Sequence, residues 1–129
     1  MLTYVDSSVL LAAVLVEDRA PDAPFWDGAV ISSRLLTYEV WTRINPPWGT
    51  ETHAESARAF LDRIDLLEMT PPVLARALEP FPVRVRTLDA LHLASAEYLR
   101  AQGQRVRLAS YDRRMRQAAR RLKIPLYRL

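Results

Sequence analysis

The chain opens Leu2-Thr3-Tyr4-Val5-Asp6-Ser7-Ser8 and continues Val9-Leu10-Leu11-Ala12-Ala13-Val14-Leu15-Val16. A short β-prone run reaches an acid, two N-cap types follow, and an unbroken apolar stretch begins. That order predicts a strand, a carboxylate at its end and a buried helix over 9–16. The unit recurs along the chain. Residues 29–33 are predicted as a second strand, and Leu35, Leu36, Val40, Trp41 and Ile44 keep helical spacing until Pro46-Pro47. Residues 52–63 read as an amphipathic helix, 66–69 as a third strand, and 71–78 as a short helix started by prolines. The clearest helix is 87–100, stopped by Gly103. Residues 106–109 form a fourth strand leading to Ser110-Tyr111-Asp112. A helix over 113–122 and an edge-type strand over 124–127, where Pro125 is tolerated, complete the pattern. Strand–helix alternation argues one domain over 1–129, a three-layer α/β/α sandwich on a parallel sheet.

Composition narrows the chemistry. Cysteine is absent, which excludes disulfides, thiolate zinc, iron–sulfur ligation and cysteine nucleophiles. Three glycines (Gly28, Gly49 and Gly103) cannot build a Gly-rich phosphate cradle. No apolar run is long enough to span a membrane, and no basic segment precedes Asp6 as in a signal peptide, so the expected location is the cytoplasm. Net charge is +3 but unevenly spread: residues 1–83 carry −6 and residues 84–129 carry +9, with Arg supplying all but one of the basic side chains. An Arg-rich half suits bidentate phosphate recognition, and equally describes a solvated helical face.

Four acids stand out. Asp6 follows the first strand and Asp112 the fourth; with strand order 3-2-1-4-5 these strands are neighbours and their acids converge where an open α/β sheet binds ligands. Glu39 and Asp89 are embedded in sequence that otherwise reads as core. Each acid has a plainer use: Asp6 and Asp112 as N-caps, Asp89 against the helix dipole, Glu39 paired with Arg43. Jointly, four carboxylates at one sheet edge repel unless a cation holds them. With no Cys and only two His, such a set suits Mg²⁺ or Mn²⁺ rather than zinc.

These residues carry a resemblance. Tyr-Val-Asp-Ser-Ser-Val-Leu-Leu-Ala around Asp6, Leu-Thr-Tyr-Glu-Val-Trp around Glu39, Leu-Asp-Ala-Leu-His-Leu-Ala-Ser-Ala around Asp89 and Leu-Ala-Ser-Tyr-Asp-Arg-Arg-Met around Asp112 resemble the four acidic motifs of PIN-domain nucleases. Their order, spacing and span are similar to those of VapC-type toxins of toxin–antitoxin pairs, although Thr is more usual at Ser110 and the Pro-Pro-Trp-Gly stretch at 46–49 departs from the pattern. The resemblance implies a Mg²⁺-dependent endoribonuclease, a toxin that cleaves single-stranded or looped RNA by metal-activated water. It also implies metal ligation by Asp6, Asp89 and Asp112 with Glu39 completing the set, a homodimer, and a small cognate antitoxin. Ser8 and Ser110 would orient ligands or phosphate from behind.

Arg84 and Arg86 before Asp89, and Arg113, Arg114 and Arg116 after Asp112, are candidate RNA-binding residues. His92, one helical turn after Asp89, reads first as a satisfied core histidine and second as a hydrogen-bonding neighbour of the site. His53 reads as surface. Of the tryptophans, Trp26 and Trp41 are candidate base-stackers, Trp41 better explained as core, and Trp48 is the best exposed candidate. Three other readings compete. An RNA-processing PIN nuclease without an antitoxin would lack a short neighbouring reading frame. A receiver module would need an acidic doublet after the first strand and a Lys after a late one, whereas the chain's one Lys is Lys123. A non-catalytic PIN-like interaction module would have no reason to keep four costly acids.

Overall fold

The computed structural model describes residues 1–129 apart from 46 and 48. Strands β1 (Leu2–Val5), β2 (Val30–Ser33), β3 (Asp65–Leu67) and β4 (Val106–Ala109) form a parallel sheet in the order β3-β2-β1-β4. Helices α1 (Ser7–Val14), α2 (Leu35–Ile44) and α3 (Glu51–Leu61) precede β3; α4 (Pro71–Leu78) and α5 (Thr87–Ala101) precede β4, and α6 (Arg113–Arg121) follows it. The expected fifth strand is reduced to one bridge, Leu126 beside Leu108. It lies at the expected edge, held by Leu108 N donating to Pro125 O at 2.8 Å and Tyr127 N donating to Leu108 O at 2.7 Å. Pro125 has no N–H to extend the ladder. The Pro-interrupted stretch at 20–24, which by sequence reads as a loop or a helix start, leads into a 3₁₀ turn over Ala23–Asp27.

The strands sort their side chains by a period of two. Val5, Val30 and Ala109 face a core shared with Val9, Leu10, Leu36, Val40, Ile44 and Ala57 of α1, α2 and α3. Tyr4, Val106 and Leu108 face the opposite core with Leu93, Ala96, Met115 and Ala118 of α5 and α6. The chain therefore leaves β1 toward one face and β4 toward the other. This divergence opens the crevice beyond the carboxyl ends of β1 and β4, whose register pairs Val5 with Ala109.

Helix ends follow their local chemistry. Thr50 caps α3, accepting from His53 N at 3.2 Å while His53 Nδ1 accepts from Thr50 N at 3.4 Å. His53 thus has a surface capping role. At the end of α5, Gly103 takes φ +87°, and Gln104 N reaches Leu99 O at 3.0 Å. The end of α1 makes the same turn with Val16 at φ 54°, where Glu17 N reaches Ala12 O at 2.9 Å. A β-branched residue is strained there, and Val16 is 84% exposed, so its side chain returns little packing. Val16→Gly is expected to stabilise the protein by about 0.5–1 kcal/mol, read as a rise of a few degrees in Tm. An unchanged or lower Tm would show that this turn carries no strain.

Candidate active site

Asp6 is the first residue beyond β1 and caps α1. Its Oδ1 accepts from Ser8 N at 3.1 Å and from Ser8 Oγ at 2.5 Å, and its Oδ2 accepts from Ser110 Oγ. Asp6 is only 4% exposed. Burial pushes its carboxyl above the usual range; hydrogen bonds from Ser110 and Ser8 pull the other way, and the Asp112 charge adds to the rise. Ser110 and Ser8 also join the loops. Ser110 Oγ accepts from Asp112 N and Ser8 Oγ accepts from Tyr111 N, each at 2.9 Å. Asp112 in turn caps α6, its Oδ1 accepting from Met115 N at 2.9 Å. The capping reading of both aspartates is correct, and it is compatible with a second use. A cap engages one oxygen and fixes the carboxylate at the strand end.

Asp89 lies in the first turn of α5 and is half-buried. Burial raises its pKa first, then the charges of Asp112 and Asp6, against opposing pulls from His92 and Arg86. Three aspartates from β1, α5 and the β4–α6 junction therefore share one electrostatic neighbourhood. Glu39 arrives from α2 in the opposite helical layer. It is not paired with Arg43: its Oε1 meets His92 Nε2, and its Oε2 accepts from Ser7 Oγ at 3.2 Å. His92 is 1% exposed, and its Nδ1 lies 2.8 Å from the Tyr4 hydroxyl. Burial disfavours a charged imidazole, but Tyr4 and the hydrogen bond and charge of Glu39 favour it more, and the His92 pKa is pushed up to about 10. The two readings of His92 are both correct: it is a packed core residue, and it touches a site acid.

Among the described residues no three carboxylate or imidazole side chains are already gathered to hold one ion. Three of the four acids are instead engaged by other partners: Asp6 by two serines, Asp112 by its cap, Glu39 by Ser7 and His92. As donors the three aspartates still fit a hard divalent cation. They offer only oxygen, and the Asp112 charge that adds to the burial-driven rise of both Asp6 and Asp89 is a repulsion that a cation would relieve.

Two clefts flank the acids. On one side Ser7, Ser8, Tyr38, Glu39, Arg43 and Leu88 line a cavity of about 370 Å³, with Tyr38 64% exposed. On the other Arg84, Arg86, Thr87, Arg114 and Gln117 line one of about 660 Å³. Arg113 is exposed outside these linings, and Arg116 turns inward, its Nη1 donating to Ser110 O at 3.2 Å. Arg116 therefore braces the loop bearing Ser110. Trp26 is buried against Phe25 and Phe60 in the core, and Trp41 lies half-buried with the Arg58 guanidinium 5.4 Å over its ring, so neither offers a free face. Trp48, the exposed stacking candidate, lies outside the described residues. Sequence reasoning missed Ser7 and Tyr4. Ser7 carried one signal, adjacency to Asp6; Tyr4 carried none, since a buried strand tyrosine looks like any other core aromatic.

Acids from both helical layers are carried near the carboxyl ends of β1 and β4 of a parallel sheet. The family model for the PIN domain matches residues 3–121, and the chain belongs to that family. It is similar to Ribonuclease VapC47 of Mycobacterium tuberculosis, at 28% identity over 120 residues that cover 88% of this chain and 87% of that protein. It is also similar to Ribonuclease VapC46 of the same organism, at 42% identity over 72 residues, covering 56% of this chain and 54% of that one.

Proposed function

We propose that this protein is a metal-dependent endoribonuclease, the toxin of a toxin–antitoxin pair, acting on single-stranded or looped RNA. The observation that carries the reading is the shared neighbourhood of Asp6, Asp89 and Asp112, with Glu39 beside them, at the sheet's topological switch. The ribonuclease names of its two relatives support it. Asp6, Asp89 and Asp112 would hold Mg²⁺ or Mn²⁺, and Glu39 would complete the set directly or through water. When bound, the cation supplies an activated water and offsets charge on the phosphate.

The protein's own residues do the rest. Ser8 and Ser110 hold the Asp6 carboxylate in one orientation. Arg84, Arg86 and Arg114 draw the RNA backbone toward acids that would otherwise repel it. Unpaired RNA is favoured because only a flexible strand can present its phosphate in so recessed a crevice. We further propose a homodimer, a small antitoxin that covers the acids, and a cytoplasmic location; among the described residues no helix is long and apolar enough to cross a membrane.

The direct test is cleavage of total RNA by purified protein with Mg²⁺, with Mn²⁺ and with EDTA, mapped to nucleotide positions. Discrete cuts in the metal samples and none in EDTA are expected. Cleavage that survives EDTA, or none under any condition, overturns the reading. The Arg cleft has its own expected result. Arg84→Gln, Arg86→Gln and Arg114→Gln together should raise KM and make the log–log salt dependence of RNA binding shallower by up to about 3. The cut positions should stay in place, since phosphate contacts read no bases. A wild-type salt slope in the triple variant would move the RNA track elsewhere.

A further inference from the structure

We propose that His92, backed by Tyr4, is a positioning residue that holds Glu39 for the acid cluster; this rests on the metal-nuclease reading above. The observation is a line of buried polar atoms running from one core to the site. The Tyr4 hydroxyl meets His92 Nδ1 at 2.8 Å, His92 Nε2 meets Glu39 Oε1, and Ser7 Oγ donates to Glu39 Oε2 at 3.2 Å. Tyr4 is fully buried and His92 nearly so, whereas the Glu39 side chain keeps 13% exposure at the crevice. Because Glu39 can only accept, Nε2 must carry the proton whatever the state of Nδ1.

The line also joins the elements that carry the acids. Tyr4 stands two residues before Asp6 on β1, and His92 one turn after Asp89 on α5. Glu39 reaches them from α2, in the opposite helical layer. One hydrogen bond therefore links the layer holding Glu39 to the layer holding Asp89. Packing does not require this. Phe at 4 and Leu at 92 would fill similar volumes without burying a hydroxyl and an imidazole, groups that are costly unless satisfied. Their partners are each other and Glu39, so the network closes only with that carboxylate in place. Ser7 takes the second oxygen, and the carboxylate is clamped on both sides.

The test compares His92→Leu, His92→Gln and Tyr4→Phe, alone and with Glu39→Gln, by Mn²⁺ affinity from electron paramagnetic resonance titration and by kcat and KM on RNA. His92→Leu is expected to weaken Mn²⁺ binding and lower kcat by about tenfold or more, with KM within about twofold. His92→Gln, whose amide can still donate to Glu39, should recover most of both losses. Tyr4→Phe should fall between them. In the Glu39→Gln background, His92→Leu should change neither quantity further. Wild-type Mn²⁺ affinity and kcat in His92→Leu would overturn the proposal, as would equal losses in His92→Leu and His92→Gln or additive losses with Glu39→Gln. If His92→Leu does not fold, Tyr4→Phe decides: wild-type values there overturn the proposal. A wild-type protein that neither binds Mn²⁺ nor cleaves RNA fails the nuclease reading itself and takes this inference with it. A wild type that does both while the variants match it fails the inference alone.

Discussion

Asp6→Asn and Asp89→Asn should each lower RNA cleavage by at least about a hundredfold, beyond what loss of a supporting residue costs, while melting no lower than wild type. The two halves of this result have separate causes. For Asp6, the amide retains the N-cap, because Asn and Asp cap comparably, and its oxygen can still accept from Ser8. Its amino group can donate to Ser110 Oγ, where the carboxylate accepted. What is lost is charge. A carboxyl whose pKa is raised by folding favours the folded state when protonated. That benefit is complete below its ordinary value of 3.8 and disappears as pH rises through the raised value. At neutral pH the metal-free wild type thus bears the cost of a carboxyl buried at Asp6 and another crowded at Asp89, and the amides do not. The Tm advantage of either variant should be present at pH 7 and vanish toward pH 4. Cleavage at the wild-type rate in either variant would remove that residue from the site. A large loss of Tm would mean that the carboxylate is structural first.

Divalent metal should stabilise the wild type and leave the doubly neutralised site nearly unaffected. A ligand bound by the folded state alone adds about 2.7 kcal/mol at a concentration a hundredfold above its Kd. Here the gain should be read as a rise in Tm with Mg²⁺ or Mn²⁺, absent with EDTA. Asp6→Asn combined with Asp112→Asn removes charge from both strand-end acids while leaving amides able to cap α1 and α6. Most of the metal-induced increment should go with them. The acids are not drawn together as they stand, so binding must reorient side chains now held by Ser8, Ser110 and Met115. A shift of equal size in wild type and double variant would place the ions elsewhere on the protein.

The alternation of apolar runs with acids and caps was enough to state the layered architecture and the positions of most elements. Helix and strand periods follow from local sterics and from which residues must leave water, and both are written in neighbouring residues. The four acids were legible for a related reason: a carboxylate amid core sequence is a local anomaly. Contacts between distant segments were not legible in that way. Pairing Glu39 with Arg43 was the reasonable local reading, since i and i+4 adjoin on any helix. The structure gives Glu39 instead to His92, 53 residues away, because α2 and α5 approach over the sheet from opposite layers. Arg116 likewise reads locally as one more phosphate binder, and the structure gives its Nη1 a partner in the Ser110 carbonyl that no neighbouring residue announces. The last strand shrank to a bridge for want of neighbours beyond the sheet edge and of an N–H on Pro125. By itself the sequence determined the secondary elements, the acids and the Arg-rich half, all set by short-range sterics, burial and composition. Only the tertiary structure decided which partner each polar group would find, because a side chain takes whatever the packed layers bring within about 3 Å of it.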